Sequence, residues 1–178
     1  MPDRRTILAD TALALVAADG LKALTHRAVD AAAGVPTGST SNVFRTRRAL
    51  VDAVVDRLEA RDLALWHDDA GAPPPGTRDE LADRLAHYLE VFGVAQAELT
   101  RARFAISIGA PDAVVAAHAR FLTIAEGMVA AVGADDVPRR ARWIADYCDG
   151  ALLHQVTARR GDAIDPGAHR SAIRRLLD

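Results

Sequence analysis

Between Thr25 and Arg47 the chain sets short hydroxyl and amide side chains among arginines: Thr25, Arg27, Thr37, Ser39, Ser41, Asn42, Arg45 and Arg47, with Gly38 in their midst. Guanidinium groups offer paired donors that match phosphate oxygens or the O6/N7 edge of guanine, and hydroxyls and carboxamides both donate and accept at base edges. A glycine at position 38 lets backbone approach a ligand closely. A solvated helix end could carry the same polar residues, so charge is the next test. Residues 1–50 hold seven basic groups (Arg4, Arg5, Lys22, Arg27, Arg45, Arg47, Arg48) against four acidic ones (Asp3, Asp10, Asp19, Asp30), a charge of +3. The rest of the chain carries −5, and the total of −2 hides the difference. A small basic head on an acidic body is the asymmetry expected when only the head meets phosphate.

Other chemistries find little support. The sequence holds no His-Glu-x-x-His, no paired-cysteine zinc spacing, no Gly-Lys-Ser/Thr phosphate loop and no Gly-x-Ser-x-Gly elbow. Its six histidines are scattered and Cys148 is its one cysteine, so no metal, cofactor or disulfide framework is expected, and a reducing cytoplasm fits. The longest unbroken apolar run, Ala12 to Ala18, is far shorter than a membrane span, and no strongly basic amphipathic helix suits a membrane surface. No secretory leader pattern opens the chain.

The elements that must position these residues read as helices. The 178 residues include 38 alanines, while β-branched and aromatic residues are sparse, which argues against strands. A first helix carries Ile7, Leu8, Thr11, Leu15 and Val16 at helical spacing and ends at Asp19-Gly20. Thr25 caps a second helix over 26–33, stopped by Gly34, and a short third runs from about Thr37 to Val43. Two short helices joined by Gly34-Val35-Pro36 make a helix-turn-helix, whose second helix enters the major groove. Leu24, Val29, Ala32, Val35 and Phe44 are the expected core of this head. Thr46 caps a long fourth helix, and Gly71 to Gly76, with its three prolines, reads as a rigid connector. Thr77 with Glu80 opens a fifth helix as a capping box. Further helices are expected over 96–108, from Asp112 to about Val132, over 137–159 behind Asp136 and Pro138, and from Asp165-Pro166 to the end. The fold class is therefore all-α, about nine helices: a three-helix head, residues 1–46, and a helical bundle body, residues 47–178.

Residues 7–50 resemble the DNA-binding domain of the TetR family of bacterial transcriptional regulators. The match runs without gaps through Ile7-Leu8, Ala12-Leu13, Gly20, Leu24-Thr25, Arg27, Ala33-Gly34-Val35, Gly38-Ser39, Phe44, Arg47 and Ala49-Leu50. Three departures stand out. Thr40-Ser41-Asn42-Val43 replaces a run of Leu, Tyr, an aromatic and His, Arg48 replaces an acidic residue, and Val16 replaces a Phe. The resemblance implies that Thr25 donates to a phosphate and that Arg27 reaches either a guanine or a phosphate. It implies a groove face of Thr37, Gly38, Ser39, Ser41 and Asn42, a backbone clamp by Arg45 and Arg47, and a flexible contact from Arg4 or Arg5.

For the body the resemblance implies a homodimer that binds a small, apolar or amphipathic effector. Trp66, Tyr88, Phe92, Phe104, Phe121, Trp143 and Tyr147 are the candidate ligand residues, with His67, His87, His118, Gln96, Ser107 and His154 as polar partners; aromatics at helical spacing also serve as plain core. Gly150, Ala151, His154, Ala158, Ile173, Leu176 and Leu177 are the candidate dimer seam, although the apolar face of the last helix can equally be buried within one chain. The function so implied is a cytoplasmic, ligand-responsive regulator, a homodimeric repressor of a palindromic operator and not an enzyme. The competing reading is a helical small-molecule binding protein or enzyme with a degenerate head.

Overall fold

A computed structural model describes residues 3–68 and 74–178, with side-chain surroundings for residues 3–65 and 74–178. Among the described residues there are nine α-helices and no strand: α1 Arg4–Asp19, α2 His26–Ala32, α3 Ser39–Val43, α4 Arg47–Asp68, α5 Arg78–Glu90, α6 Ala97–Gly109, α7 Pro111–Ala131, α8 Val137–Val156 and α9 Pro166–Leu176. The all-α expectation holds. The expected connector at 71–76 lies outside the described residues as far as residue 73.

Two compact units divide the chain, residues 1–69 with 101–117, and residues 70–100 with 118–178, so the division falls within α6 and α7. The expected boundary at 46/47 falls inside the first unit, because α4 shares a core with α1. Leu8, Ala12, Leu13 and Val16 of α1 and Leu50, Val54 and Leu58 of α4 are buried. Each large aliphatic side chain so buried contributes about 1.5–3 kcal/mol. A carboxylate adds to the pairing: Asp10 accepts from Arg57 at 2.9 and 3.1 Å and from Arg61 at 3.0 Å. Farther along α4, Asp62 accepts from Arg103 of α6 at 2.6 Å through both oxygens. Burial raises the Asp62 carboxyl above its ordinary value even against the opposing pull of that guanidinium. The α6–α7 corner belongs to the same unit. A Cβ at Gly109 would stand 2.7 Å from Leu21, and Arg48 donates to the Asp112 carbonyl at 3.2 Å.

In the second unit α9 lies against α5 and α8. The expected capping box is present, with Thr77 and Glu80 exchanging bonds at the start of α5. Asp165 caps α9 through the Ala168 amide at 3.0 Å. Asp136 does not cap α8. It sits at φ 45, in the left-handed region, with no side-chain cap bond, and its carboxylate instead meets Arg139 at 2.5 Å. Arg140, buried, joins the head of α8 to the end of α9, donating to Asp135 at 2.6 Å and to the Leu176 carbonyl at 2.9 Å. Helix α8 stops at Val156, short of the expected Arg159, so Ala158 lies in the turn that follows.

One local feature had no sequence signal. Residues Val91–Ala95 form a π turn between α5 and α6, closed by Gln96 N–H donating to the Val91 carbonyl at 2.8 Å. The Phe92 carbonyl is taken by the Thr100 hydroxyl at 2.7 Å. A widened turn frees backbone groups, and a buried one must find a new partner. Gly93 sits at a close approach: a Cβ there would stand 2.8 Å from the Ile164 side chain and 3.0 Å from that of Gln155. Gly93→Ala should be nearly neutral, because about 1 kcal/mol of helix propensity offsets the crowding. Gly93→Val should cost about 1–3 kcal/mol through overpacking. Urea midpoints of the two variants test this, and equal midpoints would remove the crowding argument.

Helix α7 is long and apolar enough, by length and composition, to cross a membrane. An unbroken-run criterion misses it, because its hydropathy comes largely from alanine and valine around His118, Arg120 and Glu126. An arginine near the centre of a spanning helix costs about 2.5–3.5 kcal/mol.

Candidate nucleic-acid interface

The head is built as the periodicity predicts, with one exchange in its core. Leu24, Val29 and Phe44 are buried, whereas Ala32 is exposed, Val35 is half-buried and the carboxylate of Asp30 is inside. Ala32 faces solvent because α2 turns its Val29–Asp30 edge inward. Helix α3 begins at Ser39 instead of Thr37, since Gly38 holds φ 93, in the left-handed region, as its N-cap. Glycine takes that conformation without the steric cost a Cβ would bring.

Asp30 is the residue that inspection of the sequence missed. Its Oδ2 accepts the Gly38 amide at 2.7 Å, and its Oδ1 accepts the Thr40 amide at 2.7 Å and the Thr40 hydroxyl at 2.6 Å. The hydroxyl bond, helped by the two amides, holds its carboxyl below the ordinary aspartate value. The pairing of Asp30 with Thr40, ten residues apart, was the available signal, since Thr40 is fully buried where the resembled family has an apolar residue. At the other end of α3, His26 donates from Nε2 to the Phe44 carbonyl at 2.7 Å.

The sequence-derived contact residues separate into two groups. Arg27, Thr37, Ser41, Asn42 and Arg45 are exposed. The Ser41 hydroxyl bonds back to the Gly38 carbonyl at 2.9 Å, and the side chains of Arg27, Thr37, Asn42 and Arg45 have no hydrogen bond or ion pair among the described residues. Thr25 caps α2 by accepting the Ala28 amide at 3.1 Å, which leaves its hydroxyl proton free to donate outward. Ser39 and Arg47 are bonded within the head, Ser39 buried and Arg47 exposed. Ser39 is buried and accepts from Arg4 at 2.9 Å, and Arg47 donates to the carbonyls of Leu21, at 3.0 Å, and Leu24. Arg4 and Arg5, the expected flexible contacts, are both exposed. Arg4 opens α1, and the Arg5 guanidinium lies 4.7 Å from the centroid of the Phe44 ring.

Half-buried Tyr88 stacks on buried Phe92 with centroids 4.2 Å apart. Tyr147 shares a 2.8 Å bond with His169, and burial raises the phenol and lowers the imidazole. Trp143 is exposed beneath Arg139, and Phe104 and Phe121 are half-buried. The side chains of Trp66 and His67 lie outside the described residues. His87, His118 and His154 are exposed, and Gln96 and Ser107 are half-buried. Burial pushes the Cys148 thiol up to about 12, which leaves it unreactive.

Part of the expected dimer seam is core. Ile173 and Leu177 are fully buried within their own chain, because the apolar edge of α9 packs onto α5 and α8. Leu176, Gly150 and Ala151 are half-buried, a Cβ at Gly150 would meet nothing within 4 Å, and His154 and Ala158 are exposed.

Comparison with known proteins agrees with this architecture. Residues 76–178 match the family described as Tetracyclin repressor-like, C-terminal domain. A TetR-family member from Streptomyces coelicolor A3 is 26% identical, with a TM-score of 0.77 and 99% of each chain covered. The multidrug binding protein EbrR complexed with imidazole is 26% identical, with a TM-score of 0.73 over 100% of this chain and 92% of that one. The same protein complexed with malachite green is 27% identical, with a TM-score of 0.71 over 99% of each chain. No curated protein matches the sequence. The helix-turn-helix head, the all-α body and the family match over more than half of its length place the chain in the TetR family, as a transcriptional regulator and not an enzyme.

Proposed function

We propose that the protein is a homodimeric, cytoplasmic repressor that binds a palindromic operator and is released by a small, apolar or amphipathic molecule. Residues 1–46 carry the DNA contacts, and residues 47–178 carry the dimer seam and the effector site. The observation that bears most on this is the unpartnered, exposed set Arg27, Thr37, Asn42 and Arg45 around a recognition helix in the +3 segment of residues 1–50. Thr25 donates to a phosphate, Arg27 reaches a guanine or a phosphate, and Thr37, Ser41 and Asn42 face the groove with Gly38 close to the DNA backbone. Arg45 clamps phosphate, and Arg5 supplies charge from its seat on Phe44. Arg47 and Ser39 serve the head through their bonds to Leu21, Leu24 and Arg4.

Dimerisation is assigned to the outer side of α8, where Trp143 and Leu153 are exposed beside His154 and Gly150 is open. Two heads can then read half-sites about one or more helical turns apart. The effector class is supported by the aromatics of the body and by EbrR, which is described in complex with imidazole and with malachite green. Release requires the effector to favour a conformation in which the heads are spaced wrongly for the operator. Helix α4 is the lever. The Asp62–Arg103 pair and the Arg48–Asp112 and Leu21–Gly109 contacts couple it and the head to α6 and the α6–α7 corner.

Selection from random duplexes tests the reading. Enrichment of a palindrome, with affinity falling steeply as salt rises, is the expected result, and no enrichment would overturn it. Arg27→Ala then separates the two roles of that residue. Loss of about 1–3 kcal/mol confined to one base position assigns it to guanine, whereas equal loss on all duplexes assigns it to phosphate.

A further inference from the structure

Helix α3 has five residues and a glycine N-cap with no side chain to offer. A helix of that length does not sustain itself in water. What holds it comes from α2, at both ends. Asp30 takes the amides of Gly38 and Thr40 and the Thr40 hydroxyl at one end, and His26 takes the Phe44 carbonyl at the other. The two α2 residues are four apart, on one face, about 6 Å along the helix axis, against about 7.5 Å for the five residues of α3. A hold at one end would leave α3 free to swivel about it, whereas a hold at both ends sets the direction of its axis. Arg4 adds a third tie through Ser39, from α1. Ser41 and Asn42 lie between the held ends and have no tie to α2 of their own. The N-terminal amides of α3 that Asp30 occupies are also withdrawn from any phosphate.

We propose that His26 and Asp30 form a bracket that determines the base preference of the recognition helix without touching DNA. The proposal rests on the DNA-binding reading above and extends it to two residues that no groove-facing pattern would select. The Phe44 carbonyl only accepts, so His26 carries its proton on Nε2. The Asp30 carboxyl is held below its ordinary value, so its bonds are present above the unfolded value and are lost only as pH falls through the lower, folded one.

The test compares wild type, Asp30→Asn, His26→Ala and His26→Gln for binding to the selected operator and to a scrambled duplex. Asp30→Asn and His26→Ala should lower the ratio of the two affinities by about tenfold or more, the range of a mismatched base pair. Affinity for the scrambled duplex should stay within about threefold, because phosphate contacts supply that term. His26→Gln, whose side-chain amide can donate to the same carbonyl, should recover most of the ratio. Unchanged discrimination in both His26 variants overturns the bracket, and it decides the matter even if Asp30→Asn unfolds the head.

Nitrogen–proton correlation spectra give a reading that needs no DNA. The Gly38 and Thr40 amides should shift together on acidification, with a midpoint below that of an ordinary aspartate, and amides that do not respond overturn the bracket. If wild type selects no palindrome while these amides respond as expected, the functional reading fails and the bracket stands as structure alone, without its role in base preference.

Discussion

Phe44→Ala should destabilise the head by about 3–5 kcal/mol, the range for a fully buried aromatic truncated in a core. Phe44 is 1% exposed. Its ring is buried, as are Leu24 and Val29, and the Arg5 guanidinium lies over its face, while its backbone carbonyl, which the substitution keeps, anchors the end of α3 through His26. The cation–π term is small, about 0.5–1 kcal/mol at an exposed site. The cavity term dominates, and it falls at the C-terminal end of the five-residue α3. Operator affinity should be lost together with head stability. Hydrogen exchange of the residue 26–44 amides checks it: they should exchange faster in the variant while α8 amides keep their protection. Operator affinity within twofold of wild type would show that the ring does not support α3.

Ile173→Ala should cost about 2–5 kcal/mol, and the loss should not depend on protein concentration. Ile173 is fully buried within its own chain, on the edge of α9 that packs onto α5 and α8. Were it a seam residue, truncation would weaken subunit association, and the measured stability would recover as concentration rises. Urea unfolding at concentrations a hundredfold apart distinguishes the two. The arginines around α9 do not change the expectation. Arg170 reaches Asp79 and Asp83, and Arg174 reaches Asp79 and Asp178, but these pairs are largely exposed. Exposed pairs contribute about 0–1 kcal/mol each, so they cannot hold α9 once its apolar edge is cut back.

Much of the fold was readable residue by residue because its signals are local. Gly20 and Gly34 end helices at positive φ, Thr25 and Thr77 cap, and Asp165 caps α9, all within four residues of the group they serve. Asp136 looked the same in sequence and behaves differently, because its left-handed backbone turns the carboxylate toward Arg139. The π turn at 91–95 was unreadable, since its causes, Thr100 on the Phe92 carbonyl and Ile164 against Gly93, lie up to 71 residues away along the chain.

The candidate interface divides in the same way. That Arg27, Thr37, Ser41, Asn42 and Arg45 are exposed follows from polar residues on a short amphipathic motif. That Arg47 is bonded to the Leu21 and Leu24 carbonyls, and that Ser39 and Asp30 are buried, depends on how the segments before α3 pack around it.

By itself the sequence determined the helical class, most helix ends and the charge asymmetry between residues 1–50 and the rest of the chain. Each of these depends on residue type and short-range spacing. The tertiary structure alone decided which polar side chains face outward, that the Ile173–Leu177 edge is core, and that α2 holds α3 at both ends. An apolar edge or a carboxylate carries no record of its partner in its own neighbourhood. Whether it is buried, and against what, is settled only when distant helices pack.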